Sequence, residues 1–244
     1  MPASDEIRRA LANSGRLTVL TGAGVSAESG IATFRDKGGL WEEHRLEDVA
    51  TPEAFDRDPA FVHRFYNARR CRLPQVSPNP AHFALARIEE ALGDRFTLIT
   101  QNVDDLHERA GSRRVLHMHG ELLKARCAAC GNVLPWPGDL GTADRCASCR
   151  GPLRPHVVWF GEVPFHLEDE IPRALEAEVF MACGTSGSVY PAAAMVLEAK
   201  LRGRLTVEVN LEASEQARHF DLSVLGPAGT TVPRLVEEIL AGPA

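Results

Sequence analysis

"RLTVLTGAGVSAESG", residues 16–30, is the stretch on which the fold turns. Leu17, Val19 and Leu20, with Thr18 and Thr21 between and after them, form a short apolar, β-branched run that stops abruptly at glycine. Such a run ending in a glycine turn is the pattern of a buried strand. The turn that follows, Gly22-Ala23-Gly24-Val25-Ser26-Ala27, fits G-x-G-x-x-G/A. Glycines there let the backbone approach a pyrophosphate, and the free N–H groups of the next helix point at it. Read alone, the same pattern also describes an ordinary tight strand-to-helix turn.

Moving outward, the theme repeats. "RFTLITQN" (95–102), "RVLHMHG" (114–120), "HVVWFGE" (156–162), "EVFMACGTS" (178–186) and "RLTVEVN" (204–210) are short apolar runs that stop at glycine or a polar cluster. Helical patterns lie around them, at 4–14, 80–92, 167–177, 191–202 and in the closing "TTVPRLVEEILAG". Strands apolar on both faces, alternating with helices, predict an α/β fold: a Rossmann-like parallel sheet with helices on both faces. Two segments break the rhythm and read as insertions forming a small domain, one helical and one cysteine-bearing. The expected division is 1–34, 80–120 and 154–244 for the sheet domain, 35–79 for a loop and helical insertion, and 121–153 for a metal-binding module. A second strand ending in Asp or Glu about 20 residues after the glycine turn would mark a standard dinucleotide fold. The chain enters "IATFRDKGGLW" instead, which argues against a nicotinamide dehydrogenase.

The 244 residues carry a formal net charge of -6, with no basic run, so nucleic-acid binding through phosphates is not indicated. No apolar stretch approaches the roughly 20 residues of a membrane span. The N-terminal "MPASDEIRRALANSG" reads as an amphipathic helix rather than a secretory leader. The expectation is a cytoplasmic protein with no membrane partner.

Six cysteines are present, four of them as Cys127-x2-Cys130 and Cys146-x2-Cys149. Paired spacing of this kind is the four-thiolate zinc pattern, which fills a tetrahedral ion and makes it structural. Two redox C-x-x-C motifs are the other reading. Cys71 and Cys183 are expected to be small buried hydrophobes. In "TQNVDDLH", Gln101, Asn102 and Asp104 follow a strand end, where α/β folds gather ligand groups. His117 and His119 alternate along an extended run. His119, nearer the strand's end, is the candidate general base, with an ordinary pKa of about 6.5 suited to the task, and His117 is support or core. In "FYNARR", Tyr66 and Arg69 lie three apart on a predicted helix and so share a face. Arg70 is expected to be solvated.

"TGAGVSAESGI", "TFRD", "TQNVD", "HMHGEL", the four cysteines, "VVWFGE", "CGTS" and "VN" occur in the order found in sirtuins, and the chain from about residue 15 onward resembles that family. Sirtuins are NAD-dependent protein lysine deacylases, and the resemblance is nearest to the branch that removes acidic acyl groups such as succinyl and malonyl. It implies NAD as co-substrate, one structural Zn2+, and acyl-lysine proteins bound as an extended strand. By that resemblance Gly22, Ala23, Gly24 and Glu28 would belong to the NAD site. Trp41 would belong to the NAD site as well, Phe34 and Arg35 would shield and orient the nicotinamide ribose, and Gln101, Asn102 and Asp104 would hold ribose and carboxamide. His119 would act as base, while Gly184, Thr185, Ser186, Asn210, Leu211, Glu212 and Ala228 would line the adenosine. Val158, Phe160, Gly161 and Glu162, with Val189 and Tyr190 on the facing segment, would hold the peptide. Ala50, Tyr66 and Arg69 would form the acyl pocket. The products implied are free lysine, nicotinamide and O-acyl-ADP-ribose. A mono-ADP-ribosyltransferase or NAD glycohydrolase on the same scaffold, and a non-enzymatic zinc-ribbon adaptor, are the competing readings.

Overall fold

The computed structural model describes residues 2–32 and 45–241. Phe34, Arg35 and Trp41 lie outside the described residues. Six strands, β1 (Leu17–Thr21), β2 (Phe96–Thr100), β3 (Val115–His117), β7 (Val179–Cys183), β8 (Leu205–Asn210) and β9 (Leu222–Leu225), form one sheet. Its order is β3-β2-β1-β7-β8-β9, and every pairing is parallel. This is the doubly wound order, in which the chain steps outward from β1 in both directions. The central strands β1 and β7 are buried along their whole length, which is why "LTVLT" and "VFMAC" lack polar alternation.

Helices Ala3–Leu11, Pro80–Leu92 and Ala228–Leu240 cover one face, packing Ile7, Leu85, Ile88, Val232 and Val236 against Val19, Leu98, Met181 and Val207. On the other face, Ile171, Leu175, Met195 and Val196 meet Leu20, Ile99 and Phe180. Helix Pro80–Leu92 starts where the sequence predicts. Asn79 caps it by accepting from Ala81 N at 2.9 Å, and Pro80 occupies the first turn, where its missing N–H costs nothing.

A second sheet departs from the sequence-based expectation. β4 (Gly120–Cys127) pairs antiparallel with both β5 (Val133–Pro135) and β6 (Leu153–Val157). "HVVWFGE" therefore does not extend the parallel sheet: His156 and Val157 end β6, and the remainder is loop. The run is apolar because it closes a separate core with Val49, Phe55, Val62, Tyr66 and Leu122. The small sheet also reaches Val157, beyond the predicted boundary at 153. Gly120 makes the junction between the two sheets. Its φ is +84°, and a Cβ there would lie 2.1 Å from the His156 carbonyl oxygen, so no other residue fits.

The helical insertion contains Leu46–Val49, Pro52–Arg57 and Pro59–Arg72. The last begins with Asp58 accepting from Phe61 N at 2.9 Å and with Pro59 at its first position.

Candidate active site

Strand order reverses between β1 and β7, and at such a switch point ligands bind outside the carboxyl ends of the strands. Gly22 N donates to Cys183 O at 3.0 Å and Gly24 N to Gly184 O at 2.8 Å, so the two strand-end turns are knitted together. A Cβ on Gly22 or Gly24 would come within 2.7 or 2.8 Å of Gly184 O, and one on Gly184 within 2.5 Å of Val25 N. Steric contact thus accounts for these glycines. Glu28 accepts from Gly229 N at 2.7 Å, next to the buried Ala228, which ties this turn to the start of the last helix.

Beneath the turn lies a buried polar network. Asn102 donates to Gly22 O at 3.2 Å and to Ser26 Oγ at 3.0 Å; Ser26 in turn donates to Asp104 Oδ2 at 3.1 Å. His82 Nε2 reaches Ser26 Oγ at 3.4 Å, and His107 Nε2 reaches Thr21 Oγ1 at 3.0 Å. Burial pushes the Asp104 carboxyl up, takes His82 down to about 4 and His107 well below its usual value. Both histidines are therefore neutral near pH 7. Ser26, His82 and His107 were not picked out from the sequence as site residues. They converge from three distant segments: Ser26 sits inside the glycine turn and His107 ends "TQNVDDLH", while His82 belongs to no recognisable motif.

The two histidines of "HMHG" part company here. His117 Nδ1 faces Asn102 O at 3.2 Å and its Nε2 faces Glu108 Oε1 at 2.7 Å. Asn102 O and the Glu108 carboxylate are both acceptors, an arrangement that favours a ring protonated at both nitrogens. Burial opposes that charge, but the hydrogen bond and charge of Glu108 outweigh it, and the pKa rises. His119 Nδ1 faces Gln101 O at 3.1 Å, again an acceptor, so Nδ1 carries the proton. Burial holds the His119 pKa below its usual value. The neutral ring then presents a lone pair at Nε2, which has no partner among the described residues.

From His119 a continuous chain of contacts leads to the helical insertion. Val158 N donates to His119 O at 2.9 Å, and Phe160 N to Ala50 O at 2.9 Å. Between them Trp159 Nε1 donates to Tyr66 Oη at 2.9 Å. Tyr66 is only 2% exposed, and burial raises its phenol to about 12. The Arg69 guanidinium stands 5.9 Å from the Tyr66 ring centre and 5.7 Å from that of Phe65. Burial lowers its pKa, offset by neighbouring Tyr66 and Asp104. Phe160 is exposed, and Gly161 turns the loop with a φ of +89°. The Glu162 carboxylate is held by Arg154 at 2.6 and 2.9 Å, by Arg126 at 3.3 Å and by Trp159 N at 2.8 Å. Across the switch point, Val189 is half-buried and Tyr190 is exposed.

Arg70 corrects the sequence-based expectation. It is 2% exposed, donating from Nε to Leu122 O at 2.7 Å and from Nη1 to Asn67 Oδ1 at 2.6 Å. Asn67 also exchanges two hydrogen bonds of 3.0 Å with the backbone of Leu140. This charge is buried because it bolts the Tyr66 helix to β4. Cys71, expected buried, is exposed, while Cys183 is fully buried and its thiol is pushed up to about 12.

At the ends of β7 and β8, Gln101 Nε2 donates to Thr185 Oγ1 at 3.0 Å and Asn210 Nδ2 to Thr185 O at 2.8 Å. Ser186 lies 2.7 Å from Ser188 through their hydroxyls, and Leu211 and Glu212 are exposed beside them.

The four cysteine sulfurs gather within 4.8 Å of one another, Cys127 and Cys149 at 3.4 Å and Cys130 and Cys146 at 3.8 Å. A tetrahedron with Zn–S of about 2.3 Å needs sulfurs about 3.8 Å apart, so the set fits zinc with no position left open. Gly151 makes room: a Cβ there would press 3.1 Å from Cys127 Sγ and 3.2 Å from Cys149 Sγ.

A doubly wound sheet with a glycine turn at its switch point, a neutral histidine at the strand ends and a four-thiolate zinc module together define a class of NAD-dependent enzymes. The Sir2 family profile matches residues 22–191, and the chain belongs to that family. The chain is 61% identical over 232 residues to an NAD-dependent protein deacylase of Shigella flexneri, covering 93% of this chain and 85% of that one. It is 60% identical over 232 residues to the enzyme of the same name from Escherichia coli strain K12, covering 93% and 83%. Among solved structures, a Sir2 homologue in complex with NAD superposes with a TM-score of 0.87 at 42% identity, covering 98% of this chain and 94% of that one. A Sir2 variant with a deacetylated p53 peptide and 3′-O-acetyl ADP-ribose gives 0.78 at 28% identity, covering 97% of each chain. Among the described residues no helix is long and apolar enough to cross a membrane.

Proposed function

We propose that this NAD-dependent protein-lysine deacylase removes acidic acyl groups, succinyl and malonyl, in preference to acetyl, which it also removes. The observation that carries the preference is the Tyr66–Arg69 pair, a guanidinium beside a buried neutral phenol, with the small side chain of Ala50 in the same core cluster as Tyr66. Such a guanidinium can bind a distal carboxylate through two parallel hydrogen bonds. Charge-assisted bonds contribute on the order of 1.5–3 kcal/mol, roughly a tenfold to hundredfold preference when an acetyl group leaves the arginine unsatisfied.

Bound NAD supplies an electrophilic ribose carbon for the acyl oxygen and a good leaving group in nicotinamide. Gly22, Ala23 and Gly24 would border its pyrophosphate, Phe34, Arg35 and Trp41 its nicotinamide ribose, and Gln101, Asn102 and Asp104 its ribose and carboxamide. Thr185, Ser186, Asn210, Leu211, Glu212 and Ala228 would flank the adenosine. His119 Nε2 accepts the proton of a ribose hydroxyl, since its lone pair is the one Gln101 O leaves available. The peptide lies as an added strand between the 158–162 and 187–190 segments, held chiefly through its backbone. The products are free lysine, nicotinamide and O-acyl-ADP-ribose. The protein divides, on this reading, into an NAD domain, a helical insertion and a zinc module.

Matched acetyl-, malonyl-, succinyl- and glutaryl-lysine peptides, incubated with NAD and read by mass spectrometry, test the proposal. O-succinyl-ADP-ribose should form fastest, and Arg69→Met should cut desuccinylation at least tenfold more than deacetylation. Equal losses on both substrates would remove the acyl-pocket assignment. ADP-ribosylated protein without any acyl product would favour a transferase instead.

A further inference from the structure

The indole of Trp159 is more constrained than a core side chain needs to be. Its Nε1 donates to Tyr66 Oη at 2.9 Å. Its backbone N donates to Glu162 Oε2 at 2.8 Å. The Arg154 guanidinium lies flat on the ring, 3.4 Å from its centre. Arg154 is itself fixed, giving two hydrogen bonds of 2.6 and 2.9 Å to Glu162 and a third of 3.0 Å to Val157 O. Phe55 packs at 5.3 Å between ring centres, and Trp159 is 2% exposed. An indole gripped on one face, at its backbone and at its N–H has a single orientation.

That orientation has a consequence at Tyr66. The phenol carries one hydrogen, and burial keeps it there, with a pKa of about 12. Trp159 can only donate, so its N–H occupies a lone pair of the phenol oxygen. The phenol's own hydrogen is thereby turned away from Trp159, while the Arg69 guanidinium stands over the same ring, 5.9 Å from its centre. A donor held in place before the ligand arrives loses little entropy when it binds. The same N–H draws electron density from the phenol oxygen and sharpens it as a donor.

We propose that Trp159 is a positioning residue for acyl selectivity: its N–H orients the Tyr66 hydroxyl as a donor to the distal carboxylate of an acidic acyl group. Trp159 does not touch that carboxylate. It makes the peptide-bordering 158–162 loop and the acyl pocket one rigid unit, through Arg154 and Glu162. The inference rests on the acyl-pocket reading above and adds to it the device that aims the phenol.

The test is the ratio of kcat/KM for succinyl-lysine over acetyl-lysine peptide in Trp159→Phe, Tyr66→Phe and the double variant, with Arg69→Met alongside. Trp159→Phe keeps an aromatic ring and removes the N–H. The ratio should fall about tenfold in each single variant and no further in the double, because both delete one interaction. Loss of packing alone would lower both substrates together and leave the ratio where it was, which overturns the proposal, as would additive effects in the double variant. A ratio that collapses in Arg69→Met but holds in Trp159→Phe refutes the role of Trp159 while sparing the pocket. An Arg69→Met ratio equal to wild type refutes both. Should Trp159→Phe fold poorly, as judged by zinc content and thermal melting, the indole resonance decides. The chain has three tryptophans, and the Trp159 Nε1–H signal should move in Tyr66→Phe and on titrating succinyl-lysine peptide into the wild type. A signal indifferent to both would overturn the proposal.

Discussion

The six-stranded parallel sheet and the three-stranded antiparallel one follow each other directly at Gly120, yet they are held together by different physics. The first buries a continuous apolar core on each sheet face, from Ile7 and Leu85 to Val236 on one side and from Leu20 to Val196 on the other. The core at the cysteines comprises Ala125, Cys127, Leu140, Cys146 and Leu153, and two of those are metal ligands. A module with so little apolar surface cannot offset its own conformational entropy, and its order depends on the ion. Helix Pro59–Arg72 hangs on that module, through Asn67 to Leu140 and Arg70 to Leu122. The parallel sheet is thus a self-sufficient scaffold, and helix Pro59–Arg72 depends on a conditional one.

The largest expected effect isolates the first region. His119→Ala should lower kcat by on the order of 10²–10⁴, as general-base removal does, with zinc content and melting temperature unchanged. Activity retained in that variant would move the base elsewhere. Chelating the zinc should abolish activity by the other route. Amide exchange should accelerate across β4, β5 and β6 and in helix Pro59–Arg72, while β1, β2, β7 and β8 stay protected. Uniform loss of protection would mean that the two regions are not separable. Arg70→Met should destabilise the protein by about 1–3 kcal/mol in urea unfolding, since the buried Leu122 carbonyl loses its donor. A change within about 0.5 kcal/mol would show that the bolt is dispensable.

The smallest effect is a shift in pH dependence. Falling pH protonates His119 Nε2 and removes its lone pair, so activity should drop on the acid side. Because burial lowers this pKa, the acid limb of kcat/KM should lie below 6.5. His117 has the opposite sign. Its pairing with Glu108 contributes stability below 6.5, which is lost as pH rises through its elevated folded pKa. An acid limb above 6.5 would point to His117 rather than His119.

What the sequence determined by itself is local. Strand β1, its glycine turn, the four thiolates and the Tyr66–Arg69 helix face are each set by spacing within one short segment, where period and steric freedom are enough. "HVVWFGE" was misassigned because an apolar run records burial and not which sheet provides it. Arg70 was misread because its acceptor, Leu122 O, lies 52 residues further along the chain. Only the tertiary structure separates two histidines that lie two residues apart, raising the pKa of His117 and lowering that of His119. Protonation follows desolvation and hydrogen-bond partners, and Glu108, Asn102 and Gln101 become those partners only once β2 and β3 lie side by side.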